Sequence, residues 1–324
     1  MSDTIDTSIW YRHVWRNRIQ SVILLLVMAL FLALLGTLLW GPDGIWFMLT
    51  VGAMTVLLGP TVSPQWVMRL YGARKLSADE APALHQMVRE LAERAEIGHV
   101  PEIYYLPSSM LNAFAVGNSR QSAIAVTDGL LRHLTQRELF GVLAHEISHV
   151  RNNDLFVMGL ADTFSRATST LSLMGQFLLL LNLPLILLSG ATISWFAIFL
   201  LVFAPTLSGL AQLALSRTRE FDADLGAAWL TRDPEGLASA LEKIEKIQGT
   251  WLERIFMPGR GIPEPSVLRT HPDTNERIAR LMSLKTRLGG AEPPLPDRPA
   301  PWLSALDGPV ERPPRWHMGS GLWH

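Results

Sequence analysis

Apolar and polar positions along this chain fall into long blocks rather than an even mixture. Ser21 to Trp40 carries no charged residue over 20 positions, the length a helix needs to cross a hydrocarbon layer about 30 Å thick. The turn Gly41-Pro42-Asp43-Gly44 follows, and then a second apolar run from Ile45 to Val62. A third run extends from Leu171 to Leu188 and a fourth from Ile193 to Leu213, joined by Ser189-Gly190-Ala191-Thr192. The pattern predicts four transmembrane helices in two hairpins. The first run is too long for a signal-peptide core, and no small-residue cleavage site follows it. Asn182 and Pro184 predict a kink in the third run, where a re-entrant pair is the alternative to a full span.

Polar stretches between and after the hairpins have shorter periods. From Ala78 to Glu96, Leu84, Val88, Leu91 and Ala95 recur at helical spacing with a polar opposite face. Glu102 to Leu106, Ala113 to Val116 and Ser122 to Val126 are short extended runs separated by turn residues, which predicts a small, mostly antiparallel sheet. Thr135 with Glu138 three positions on is a capping box, opening a helix that runs to about Val150. The domain reading is therefore an N-terminal segment 1–20, a hairpin 21–62, a first polar part 63–170, a hairpin 171–213, a second polar part 214–288 and a tail 289–324.

Charge orients the hairpins and narrows the function. Arg12, Arg16 and Arg18 precede the first run, Arg69, Arg74 and Lys75 follow the second, and Arg217 and Arg219 follow the fourth, while the hairpin turns hold no Lys or Arg. The positive-inside tendency places both polar parts on the cytoplasmic face. With 28 Lys and Arg against 29 Asp and Glu, no basic excess exists to neutralise phosphates, so nucleic acid is not an expected partner. Cysteine is absent, which excludes disulfides, thiolate zinc sites and Cys nucleophiles, and leaves His and carboxylates as metal ligands.

The helix opened by Thr135 carries His145-Glu146-Ile147-Ser148-His149. Residues four apart share a helix face, so both imidazoles can reach one ion, and Glu146, offset by one position, can accept a proton from the attacking water. Two surface histidines on an amphipathic helix are the bland alternative. A catalytic zinc wants a third protein ligand, and Glu220, just beyond the fourth run, is the candidate. Asp224, one turn along, would accept the free ring N–H of a bound histidine, with Asp222 as second choice. A Glu and an Asp beside two arginines also describe a solvated salt-bridge face. Ser148 needs no nucleophilic role, because an activated water forms no acyl-enzyme.

Asn112-Ala113-Phe114-Ala115, the stretch from His145 to His149, the stretch from Glu220 to Asp224, and Arg269-Thr270-His271-Pro272 followed by Arg277 together resemble the M48 metalloproteases, specifically the HtpX-like bacterial heat-shock proteases. The resemblance runs over about residues 10 to 285, with a membrane hairpin between the two halves of the metal site. It implies an α+β, mainly helical membrane protein with a zincin-like catalytic domain, one Zn2+ per chain, and an inner-membrane endopeptidase of stress response and protein quality control. Asn112 to Ala115 would be the edge strand that pairs with extended substrate, and His271 and Arg277 would stabilise the oxyanion. From the residues alone, Asn112 is equally a turn cap and His271-Pro272 a helix-start arrangement.

Glu220 follows Leu213 by seven positions, and at a rise of about 1.5 Å per residue that sets it roughly 10 Å from the membrane face. Cuts in membrane or misfolded proteins near the membrane are expected, with the bilayer itself a partner and self-association left open. A non-catalytic scaffold is disfavoured by the presence of Glu146. A metal transporter is disfavoured because no ligand lies within an apolar run. Gly289 to His324 holds eight of the 21 prolines and reads as an extended tail, with autoinhibition across the cleft as one use. Nothing near His317 or His324 completes a metal site.

Overall fold

The structure, a computed structural model, describes residues 7–46, 50, 54, 63–118, 120–189, 194–256, 274–285, 316–317 and 322–323. Its elements run α1 (Thr7–Trp40), α2 (Pro64–Leu70), β1 (Arg74–Lys75), α3 (Pro82–Arg94), β2 (Glu102–Leu106), β3 (Ala113–Gly117), β4 (Ser122–Thr127), α4 (Asp128–His133), α5 (Gln136–Asn152), α6 (Asp154–Ser189), α7 (Trp195–Thr231), α8 (Pro234–Phe256), α9 (Thr274–Lys285), β5 (Trp316–His317) and β6 (Leu322–Trp323). The chain is mainly helical with a small mixed sheet. It divides into two compact units: Ser8–Thr61 with Phe156–Thr218 form one, and Met1–Thr7, Val62–Leu155 and Arg219–His324 form the other.

Three described helices are long and apolar enough to cross a membrane, over Asn17–Trp40, Asp154–Leu185 and Trp195–Thr231. The second apolar run, Ile45 to Val62, lies mostly outside the described residues, as does most of the turn expected between the third and fourth runs. Within the first unit, large apolar side chains such as Leu26, Leu30, Leu173, Leu180, Leu181, Leu185 and Trp195 point outward. The buried positions are often small or hydroxylated, among them Ala161, Thr168, Ser172, Ala204, Ser208 and Ala211. That distribution suits helices packed in lipid, where the apolar exterior costs nothing and small residues let backbones approach.

Pro205 lies inside α7 and has no N–H to offer the Leu201 carbonyl four residues before it. α6 supplies the missing donors: Ser172 Oγ donates to that carbonyl, and Gln176 Nε2 donates to it at 2.9 Å. The sequence points to Asn182 and Pro184 as the kink in the third run and carries no local sign of this repair. Replacing both donors, Ser172→Ala with Gln176→Leu, strands a buried carbonyl. The double variant should lose about 1–2 kcal/mol of stability, read as a lower unfolding midpoint in detergent than either single variant shows.

In the second unit the strand order is β1-β2-β4-β3. β1 pairs with β2 and β3 with β4 antiparallel, as the short extended runs suggested, whereas β2 and β4 run parallel, so the sheet is mixed. The physical reason is insertion: β3 and β4 form a hairpin turning at Gly117 (φ 110°), and its second strand, not its first, lies against β2. Every residue of β4 is buried, and β3 is left at the sheet edge among the described strands.

α3 begins at Pro82, four residues later than the periodicity from Ala78 suggests. Proline at the first helical position has the required φ and no N–H to lose, and the residues before it form a turn in which Glu80 Oε2 accepts the Ser77 N–H at 2.8 Å. The capping box at Thr135 is present and opens α5. Leu139, Leu143, Ile147 and Val150 pack one face of α5 into a core with Leu84, Val88, Ile124, Ala227, Leu237 and Leu281. α5 ends at Asn153, which adopts a left-handed conformation (φ 55°), and α6 starts at the next residue, Asp154.

Candidate metal centre

Burying the apolar face of α5 turns His145 and His149 to one side, and α7 brings Glu220 opposite them. The two Nε2 atoms lie 3.2 Å apart. Glu220 Oε2 is 3.4 Å from His145 Nε2, and Oε1 is 3.6 Å from His149 Nε2. One ligand atom from each of the three residues falls within 4.8 Å of the others. His145 and Glu220 are buried and His149 nearly so. Gly226 allows α7 to come this close: a Cβ there would sit 2.9 Å from the Ser148 Cβ on α5. Ser148 itself is buried and donates to the Ala144 carbonyl at 2.8 Å, so its hydroxyl serves the helix.

A ring of ion pairs fixes the imidazoles from behind. His149 Nδ1 bonds to Asp154 Oδ2 at 2.8 Å, and His145 Nδ1 stands 3.0 Å from Asp224 Oδ1, close but outside hydrogen-bond alignment. Arg277 from α9 grips Asp224 with two hydrogen bonds of 2.8 and 2.6 Å and brings Nη1 to 3.4 Å from Glu220 Oε2. Arg219 Nη1 donates to Asp154 Oδ1 at 3.2 Å, and its Nη2 lies 2.8 Å from Asp222 Oδ2. Apart from His149, all of these groups are buried.

This arrangement fits a metal ion on its own chemistry. A carboxylate facing each Nδ1 assigns the ring proton there, by partner rather than by direct observation, so each Nε2 presents a bare lone pair. Two such lone pairs and a carboxylate oxygen then converge on one point, an arrangement that calls for a proton or a metal cation at its centre. The pocket's demand for positive charge shows in His145: burial pushes its pKa down, yet Asp224 and Glu220 outweigh burial and raise it to about 10. Imidazole and carboxylate donors suit zinc among divalent ions.

Other expected residues take varied places. Glu146 Oε2 accepts the backbone N–H of Ala115 on β3 at 2.9 Å, which sets the Ala113-Phe114-Ala115 edge beside the histidine helix. Asn112 precedes that strand with its backbone tied to Thr127, whose hydroxyl bonds both the Asn112 N–H and carbonyl. Asp222 faces Arg219 rather than a histidine. His271 lies outside the described residues. Asp154 and Arg219 were missed. Arg219 was counted among interfacial charges, and Asp154, five residues past His149 across a helix break, looks in sequence like an ordinary acidic start to a helix. Since the imidazole it faces would be a ligand, Asp154→Asn should weaken zinc binding by roughly 10–100-fold, measurable by competition with a chromophoric chelator.

Residues 78–285 match Peptidase family M48. A protease HtpX homolog of Methylibium petroleiphilum is 35% identical over 280 residues, covering 82% of this chain and 96% of that protein. Those of Sulfurihydrogenibium sp. and Burkholderia thailandensis are 36% and 33% identical, covering 84% and 83% of this chain and 97% of each relative. The crystal structure of S. mikatae Ste24p is a distant likeness, with 19% identity, a TM-score of 0.45, and coverage of 83% of this chain and 66% of that one. With its candidate spans, the chain is an integral membrane peptidase. It belongs to peptidase family M48.

Proposed function

We propose that this protein is a zinc-dependent endopeptidase of the bacterial inner membrane, with its catalytic part cytoplasmic, that cuts membrane or misfolded proteins near the membrane face in protein quality control. The observation that carries the reading is the convergence of His145, His149 and Glu220 from two helices, α5 and α7, that are far apart in sequence. The relatives' naming as protease HtpX homologs supports the peptidase activity.

His145, His149 and Glu220 would hold one zinc ion, which lowers the pKa of a water and polarises the scissile carbonyl. Asp224 and Asp154 keep both imidazoles turned with Nε2 forward. Glu146 takes the proton of the attacking water on a carboxylate oxygen and delivers it to the leaving amine. Asn112 to Ala115 line up the extended substrate. Arg277, whose fork is engaged with Asp224, acts first by holding that carboxylate, with Nη1 left facing Glu220 and the reacting side; an oxyanion contact by His271 completes the proposed set.

The test is a metal analysis joined to a cleavage assay. Purified protein should carry one zinc per chain and cut casein. A strong chelator should abolish both, and added zinc should restore them together. Cleavage that survives complete metal removal would refute the reading. Mapping cuts in a membrane substrate checks the placement: sites clustered far from its span ends would count against it.

A further inference from the structure

Glu146 makes a hydrogen bond that water activation does not require, the one its Oε2 accepts from the Ala115 N–H. Which way the β3 backbone faces can be read from its ends. The Thr127 N–H donates to the Asn112 carbonyl at 3.1 Å, and the Asn118 N–H donates to the Gln121 carbonyl at 2.9 Å. Backbone groups alternate along an antiparallel pair, so residues 112, 114, 116 and 118 turn theirs toward β4. Ala113, Ala115 and Gly117 turn theirs to the free edge. Ala115 N–H is thus the middle donor of that edge, and Glu146 occupies it.

Two demands now meet on one N–H group. An extended peptide that adds to β3 pairs through these outward groups and needs Ala115 N–H for one of its carbonyls. The base needs its carboxylate turned to the water. We propose that the Ala115 N–H is a shared donor, held by Glu146 until a peptide lies along β3 and then taken over by a substrate carbonyl, so that substrate docking itself frees the general base. The exchange swaps one acceptor for another; no covalent bond forms or breaks and no proton is transferred. It rests on the reading of Glu146 as base and β3 as substrate edge. It makes the site's most reactive carboxylate restrained when no substrate is present, a useful property in a protease surrounded by intact proteins.

Two inactive variants separate the idea from its premises. Glu146→Gln keeps a side-chain carbonyl that can accept the Ala115 N–H, and Glu146→Ala removes any acceptor. Neither has the base, so a labelled casein peptide that the wild type cleaves can be titrated onto each zinc-loaded protein, with zinc content confirming that both are folded. The Ala variant should bind roughly 5-fold more tightly than the Gln variant, the factor one net hydrogen bond is worth. Hydrogen exchange should find the Ala115 amide protected without peptide in the wild type and Gln variant, fast in the Ala variant, and protected there again once peptide is added. Equal or weaker binding by the Ala variant, or an Ala115 amide that is slow in both variants without peptide, overturns the shared donor. Peptide that binds both variants yet never protects Ala115 overturns the substrate-edge reading, and the proposal with it, even where the peptide-free amide behaves as expected.

Discussion

Glu146→Gln should lower kcat by about 10²–10⁴-fold, the span that positioned proton transfer contributes, while the protein still carries one zinc per chain. The two effects separate because of where the side chain stands. Glu146 is not among the three residues whose ligand atoms converge, and its carboxylate reaches instead to the Ala115 N–H. The amide replacement keeps the size and the hydrogen-bond acceptor but cannot take a proton at neutral pH. Zinc content by elemental analysis and casein cleavage on the same sample check the prediction. Loss of metal along with activity would mean that Glu146 holds the site together rather than acting in the reaction.

Arg277→Met should destabilise the fold by about 3–5 kcal/mol, because it strands the Asp224 carboxylate in a buried place without its bidentate partner. Asp224 and Arg277 are both buried, and the guanidinium pKa is raised: burial lowers it, but Asp224 and Glu220 more than compensate. Adding Asp224→Leu removes the orphaned charge, so the double variant should recover much of the lost unfolding midpoint, since an apolar replacement of a buried pair is often neutral. Zinc affinity should not recover with it, because His145 would still lack the carboxylate behind its Nδ1. A double variant restored in both stability and zinc binding would show that Asp224 does not orient the histidine.

Local periodicity made part of this architecture readable. Charge-free runs marked the spans at Ser21 to Trp40 and in α6 and α7, because a helix in lipid must be apolar along its whole length. The capping box at Thr135 and the spacing of His145 and His149 each depend on residues within one or two helical turns, and α5 reproduces both. Glu220 was harder. The need for a third ligand made it the candidate, but a Glu among arginines after a span also has ordinary explanations, which the resemblance to a known family weighed against.

By itself, then, the sequence determined α3, β2 to β4, α5, the membrane-spanning character and the helix face that presents two imidazoles, all properties of neighbours along the chain. Tertiary structure alone decided that β4 inserts beside β2 and leaves β3 at the edge. It likewise decided that Asp154 rather than Asp222 stands behind a histidine, that Arg219 is buried between carboxylates, and that Glu146 reaches Ala115. Each of these joins segments whose separation or intervening turn leaves no periodic signal, and each is settled by which surfaces pack together and which buried charges must then find a partner.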